Sequence, residues 1–278
     1  MSVGADFLRS WQDVQSGQWV NPPANAERAE RKIVQLATAR SVGLKLPATL
    51  ISNDQDRIRA FVRDTPQTIV KPTTIMSWDT GDQWIGMTTT RISEDDLWDP
   101  VAVEACPMIY QAEVPKKREY RIVVFGAEIV CVEIDSQAVA GAELDWREVK
   151  HRQLMMRQVA LPEVLRESIT RFMAEMGLVH GSFDFILGAD DELYFLEINQ
   201  QGQFLWLEEV VPDLNLLGVM CEFLVSGGQR DFRSRGDFSN VSYVEYVQSG
   251  NALSDIDASV SQHVAETAPR IIREADYV

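Results

Sequence analysis

The sequence predicts an α+β protein built on antiparallel hairpins. Two strand pairs sit across short turns, 119–125 with 128–135 and 183–187 with 193–198. An apolar stripe at helical spacing, Leu165, Ile169, Phe172 and Met176, lies between them. The regular strand–helix alternation of a doubly wound sheet is missing. At 278 residues the chain suits one large domain or two closely packed lobes.

In chain order, Asn21-Pro22-Pro23 reads as a rigid turn into a helix over 24–42 that stops at Gly43. Ile33, Leu36 and Ala37 fall on one face of it. A short strand at 47–51, a helix at 55–62 and the strand Thr68–Lys71 follow, and Pro72 stops that strand. The polar stretch 73–86, with Gly81 and Gly86, reads as a loop or hairpin. Strands follow at 108–114, 119–125 and 128–135, the last two turning at Gly126. The helix over 161–176 carries the apolar stripe and stops at Gly177, and 214–224 reads as another helix. From Asp231 onward no firm period emerges.

Composition excludes some classes of function. The formal net charge is −16 with a pI near 4.6, which argues against a broad nucleic-acid or anionic-membrane surface. No apolar run reaches the ~20 residues of a membrane span, and the N-terminus has no secretory pattern. Cys106, Cys131 and Cys221 lack metal or redox spacing and suit a reducing compartment, so the expected location is cytoplasmic. Neither a GxxxxGK[ST] phosphate loop nor a GxGxxG after a strand is present.

The most informative segment is the hairpin 181–199. With the turn tip at Asp190-Asp191, Asp184 lies opposite Glu197, and Asn199 shares their face. Phe183, Phe185, Tyr194, Leu196 and Ile198 then make the core face. Two carboxylates at ~4 Å repel by roughly 4 kcal/mol at an effective dielectric near 20, so the pair calls for a cation or proton. Two carboxylates and an amide oxygen suit Mg²⁺; the alternative is a solvated face carrying like charges. Lys71 ends a strand, where it either meets phosphate or is merely solvated. Glu119 and Arg121 alternate on one strand face, as a site pair or a surface ion pair. Lys32 alone reads as surface, and His180 as structural.

Taken in order, these pieces resemble the ATP-grasp fold, two α/β lobes clasping ATP between them, over about residues 21–208. The resemblance rests on AERKIVQLATARSVGLKLPATLISND, TIVKPTT, IYQAEVPKKREYRIVVFG and GSFDFILGADDELYFLEINQQGQFLWLEE. The wording FLEIN-x-x-GQFLWLEE is similar to peptide-modifying ligases of the microviridin type, which build ω-ester or ω-amide macrocycles in ribosomal peptides. That resemblance implies ATP and Mg²⁺ as cofactors and a precursor peptide as partner, and it alone implies a homodimer. It implies that Lys32 and Lys71 contact the phosphates under a covering loop 73–86. Gln111, Glu113 and Val114 would form the adenine hinge, Glu119 would hold the ribose, and Arg121 would stabilise phosphate or acyl-phosphate charge. Asp184, Glu197 and Asn199 would bind Mg²⁺. Catalytic roles fall to Arg121 and Lys71.

The resemblance divides the chain into a short N-terminal segment, 1–23, an ATP-grasp domain, 24–228, and an extension, 229–278. Within the domain the small lobe runs over about 24–110 and the large lobe over 111–228. Two departures stand out: the N-terminal region is shortened, and Ser182 replaces an arginine that many small-molecule ATP-grasp ligases carry. The expected function is an ATP-dependent carboxylate ligase that closes ester or amide macrocycles in a peptide. The alternatives are a small-molecule carboxylate–amine ligase of the glutathione synthetase or glutamate-adding kind, and a non-catalytic nucleotide-binding scaffold.

Overall fold

The structure, a computed structural model, describes residues 7, 10, 11, 14, 17–74, 77–79, 84–86 and 89–249. The helix expected over 24–42 is two helices, α1 (Pro23–Ala29) and α2 (Lys32–Ser41). Proline at the first helical position pre-sets φ for α1. Arg31 is extended (φ −80°, ψ 101°) and breaks the run. Gln35 Nε2 donates to the Ala29 carbonyl that the break frees, at 2.6 Å. The buried face of α2 is Gln35, Leu36, Thr38 and Ala39, so Ile33 and Ala37 face solvent, contrary to the apolar face read from spacing.

A four-stranded antiparallel sheet follows. It begins with β1 (Thr49–Ser52), α3 (Gln55–Asp64) and β2 (Thr68–Lys71). Asp54 caps α3 by accepting from the Arg57 N–H at 3.0 Å. The expected covering loop 73–86 falls partly outside the described residues; within it β3 (Ser77–Asp79) pairs with β4 (Trp84–Gly86). Then come β5 (Thr90–Ile92), α4 (Pro100–Glu104) and β6 (Met108–Ala112), giving the order β1-β6-β2-β5. Ile58 and Val62 of α3 pack on Val70, Leu97, Met108 and Tyr110.

The five-stranded sheet, order β11-β10-β7-β8-β9, is wholly antiparallel. It comprises β7 (Lys116–Phe125), β8 (Glu128–Asp135), β9 (Met155–Val159), β10 (His180–Gly188) and β11 (Leu193–Asn199). Between β9 and β10 runs α5 (Glu163–Met176), closed by Gly177 in the left-handed region at φ 70°. The Leu178 N–H returns to the Met173 carbonyl at 2.9 Å. The stripe on α5 packs on Ile122, Phe183, Phe185 and Phe195. Ala29, Leu36 and Ala39 of α1 and α2 join the same core. These helices therefore belong with the five-stranded sheet, not with the small lobe to which the sequence division assigned them.

The opposite face of that sheet is covered by α6 (Trp206–Val210) and α7 (Leu216–Val225), with Leu207, Leu216 and Phe223 against Val123, Phe125, Val130 and Val132. Residues 229–249 wrap this layer and end in α8 (Tyr243–Gln248). Phe232 enters the core, and Glu222 accepts from Ser234 Oγ and the Arg235 N–H at 2.7 and 2.6 Å. The rest of the expected extension, 250–278, lies outside the described residues. Among the described residues no helix is long and apolar enough to cross a membrane.

Candidate active site

The acidic pair meets as expected, by a different route. The Gly188 N–H donates to the Glu192 carbonyl at 2.9 Å, and Leu187 pairs with Leu193. From that turn an unbroken register would set Asp184 against Leu196. A bulge between Phe185↔Phe195 and Asp184↔Glu197 takes up one residue and restores the carboxylate pair. The faces differ accordingly. Phe195 is fully buried with Phe183, Phe185 and Ile198, whereas Leu196, expected in the core, lines the cleft.

Both carboxylates are held by cations. Arg121 Nη1 donates to both Asp184 oxygens at 3.0 and 2.9 Å, and its Nη2 donates to the Gln203 carbonyl at 2.9 Å. Glu197 meets Lys32 Nζ at 3.3 Å and Arg147 Nη1 at 3.2 Å, and Arg147 also pairs with Asp145 at 2.8 Å. Burial opposes ionisation of Glu197, yet Lys32, Arg147 and Lys71 hold it below the usual carboxylate range. Burial, reinforced by the charge of Glu197, pushes Asp184 up despite Arg121.

Lys32, Lys71, Glu113, Val114, Glu119, Asp184 and Glu197 line one cleft between the two sheets. Arg121 and Asn199 line an adjoining cleft that shares Asp184, Glu197, Trp146 and Arg147 with the first. Glu119 and Arg121 are each 5% exposed, which rules out the surface ion pair. Lys116 Nζ donates to Glu119 at 3.1 Å and to the Leu144 carbonyl at 2.7 Å. Burial still pushes the Glu119 carboxyl up. Burial lowers Lys71 to about 8, with Glu197 opposing the shift. Glu113 is held by Arg91 through two bonds of 2.7 Å. Gln111 lines neither cleft: it is fully buried in β6, and its Nε2 donates to Thr49 Oγ1 at 2.8 Å. His180 is a core residue whose Nδ1 bonds the Val124 carbonyl at 2.8 Å.

Sequence reasoning missed Lys116, Asp145, Trp146 and Arg147 in the cleft lining. Lys116 stands three residues before Glu119, which in a regular strand means opposite faces. A register shift that pairs Gly188 with Lys116 and Leu187 with Arg118 leaves Lys117 over and brings Lys116 round. A doubled basic residue at a strand start was the available signal. The other three sit in the β8–β9 connection, where no period exists to read.

The donor set fits a hard divalent cation and a polyphosphate together. Asp184 and Glu197 are register partners with oxygen-only chemistry, and Lys32, Lys71 and Arg147 line the same space. Asn199 Oδ1 already accepts from the backbone N–H groups of Gln201 and Gly202 at 3.2 and 3.1 Å, so its first role is to shape the turn after β11.

No protein-family model matches the chain, and no curated protein matches it. Solved structures do. A RiPP-associated ATP-grasp ligase of Chryseobacterium gregarium, solved with ADP and a leader and core peptide, is 27% identical over 74% of this chain, with a TM-score of 0.69. The macrocyclase MdnC of Microcystis aeruginosa MRC, solved with its precursor peptide MdnA, is 30% identical over 79% of this chain, with a TM-score of 0.70. The macrocyclase MdnB of the same organism is 30% identical over 79%, with a TM-score of 0.62. The chain spans 62%, 68% and 67% of the length of these three proteins. At 30% identity to MdnC, with more than two thirds of that protein's length covered, the chain belongs to the family of ATP-grasp ligases that includes these peptide macrocyclases.

Proposed function

We propose that the protein uses Mg-ATP to activate a side-chain carboxylate of a ribosomal precursor peptide and condenses it with a hydroxyl or amine of the same peptide. The observation that carries this reading is the meeting of Lys32, Lys71, Glu119, Asp184 and Glu197 in one cleft, though they come from α2, β2, β7, β10 and β11. Lys32 and Lys71 contribute positive charge at the phosphate end. Glu119, steadied by Lys116, faces the ribose, and Glu113 and Val114 border the base. Asp184 and Glu197 would hold Mg²⁺, which when bound neutralises phosphoryl charge as a Lewis acid.

A carboxylate oxygen of the peptide attacks the γ-phosphorus and the bond to ADP breaks, giving an acyl-phosphate. The hydroxyl or amine then attacks the acyl carbon, phosphate leaves, and the nucleophile's proton passes to solvent or phosphate. Arg121 and Arg147 supply fixed charge beside both steps, and Trp146 and Trp206, with ring centroids 4.9 Å apart, add apolar surface to the lining of the adjoining cleft. Free Cys106, Cys131 and Cys221 suit the reducing cytoplasm, where this reading places the reaction. The small-molecule alternative has no observation of its own in its favour, and Ser182 at the arginine position of many such ligases weighs against it.

The test is the intact mass of a candidate acidic precursor peptide after incubation with protein, ATP and Mg²⁺. Loss of one water mass per bond, dependent on ATP and abolished in Glu197→Gln with the fold intact, is expected. A gain in mass equal to an added amine or amino acid would replace this reading with the small-molecule alternative. Full activity of Glu197→Gln would refute the metal role of that carboxylate.

A further inference from the structure

β11, which carries Glu197 and Asn199, is an edge strand among the described residues: its inner side pairs with β10, and the start of its outer side meets the single residue Lys45, which bridges Tyr194 and whose carbonyl accepts from the Phe195 N–H at 2.9 Å. An unpaired edge leaves backbone groups to water or to another partner and lets the strand fray. Beyond Lys45, toward Asn199, a single side chain takes the place of a strand. Gln35 Oε1 accepts from the Ile198 N–H at 2.9 Å, and Gln35 Nε2 donates to the Ile198 carbonyl at 2.9 Å. The carboxamide thus meets both backbone groups of one residue, as a paired strand would. Gln35 is 4% exposed, and its second amide hydrogen serves the Ala29 carbonyl at the break between α1 and α2.

Ile198 lies between Glu197 and Asn199, and Lys32, one turn before Gln35 on α2, pairs with Glu197. Three links therefore fix α2 against β11 at adjacent positions, two hydrogen bonds through the backbone and one ion pair through the carboxylate. We propose that Gln35 is a positioning residue. By closing the C-terminal end of the β11 edge it fixes the Glu197 carboxylate and the Lys32 ammonium as one preorganised unit. Asn21 extends the clasp beyond the strand, its Nδ2 donating to the carbonyls of Gln200 and His180 at 2.9 and 2.8 Å. The role assigned to Gln35 rests on the nucleotide-binding reading above. The pinning of the strand does not.

Gln35→Met keeps length and packing and removes every bond to Ile198. In the full chain, two quantities decide the proposal. One is hydrogen–deuterium exchange over residues 193–203. The other is the Mg²⁺ concentration giving half of the ATP-dependent rise in melting temperature. Ile169→Val, buried in α5 away from the cleft, serves as a control for destabilisation alone. Gln35→Met is expected to speed exchange over 193–203 at least tenfold and to raise the half-saturating Mg²⁺ at least fivefold, with the control moving neither. Should Gln35→Met not fold, Gln35→Glu, which keeps the acceptor for the Ile198 N–H and loses the donor, carries the same two measurements. Unchanged exchange overturns the pinning of β11 by Gln35. Faster exchange with half-saturating Mg²⁺ within twofold of the unmutated protein overturns the positioning role. An unmutated protein with no ATP response overturns the nucleotide-binding reading, and with it the role of Gln35 toward Glu197.

Discussion

His180 opens β10, the strand of Asp184, and its ring is packed among Phe125, Phe204 and Phe223. Burial, with the nearby Arg121 charge adding to it, lowers its pKa from 6.5 to about 4 against the opposing bond to the Val124 carbonyl. Between those values the unfolded chain binds a proton that the folded protein refuses. Stability is therefore fully present above about pH 6.5 and falls as pH drops toward 4. Each pH unit in that window costs about 1.4 kcal/mol, so the whole shift is worth about 3 kcal/mol. Acidic groups titrate over the same range, and a comparison removes them. His180→Asn keeps a donor for Val124 and has no charge to gain. The difference in urea-derived unfolding free energy between the unmutated protein and His180→Asn should shrink by about 3 kcal/mol from pH 7 to pH 4. A difference constant to within about 0.5 kcal/mol would refute the burial argument.

Two further outcomes follow from particular distances and dihedrals. Under the proposed function Lys71, with a pKa of about 8, would bind phosphate best when protonated, so ATP affinity should weaken as pH rises above 8. Lys71→Met should bind roughly tenfold more weakly at pH 7, a loss of about 1.4 kcal/mol, and show a flat profile to pH 9.5 by calorimetry. A variant that retains the alkaline fall would assign it to another group. At Gly202, φ is +46° and an added Cβ would lie 2.6 Å from Ser182 Oγ. Gly202→Ala should cost about 1–2 kcal/mol by thermal unfolding, partly restored by Ser182→Ala; a neutral Gly202→Ala contradicts the close approach.

Where the sequence misled, one cause recurs. Polar residues were read as solvent-facing because nothing local tells a buried, satisfied polar group from a hydrated one. Lys32 read as surface although it pairs with Glu197, and Gln35 drew no expectation although Ile198 consumes its amide. Lys116 likewise drew no expectation, although Glu119 and the Leu144 carbonyl hold it. Leu196 and Phe195 exchanged faces because a bulge, which has no apolar signature, moved the alternation by one residue.

The sequence by itself determined the α+β class and the strand ending at Lys71, whereas it paired Asp184 with Glu197 through a register that the bulge replaces. The class and the strand follow from alternation of side chains along a strand or from a chain-stopping proline, both properties of neighbouring residues. Only the tertiary structure decided that Lys32 and Arg147 close on Glu197, and that α1 and α2 share the core of the five-stranded sheet. The structure likewise decided that the C-terminal end of the β11 edge is completed by one glutamine. These arrangements join residues 50 to 165 positions apart, and the favourable burial and pairing that fix them exist only once the intervening chain has folded.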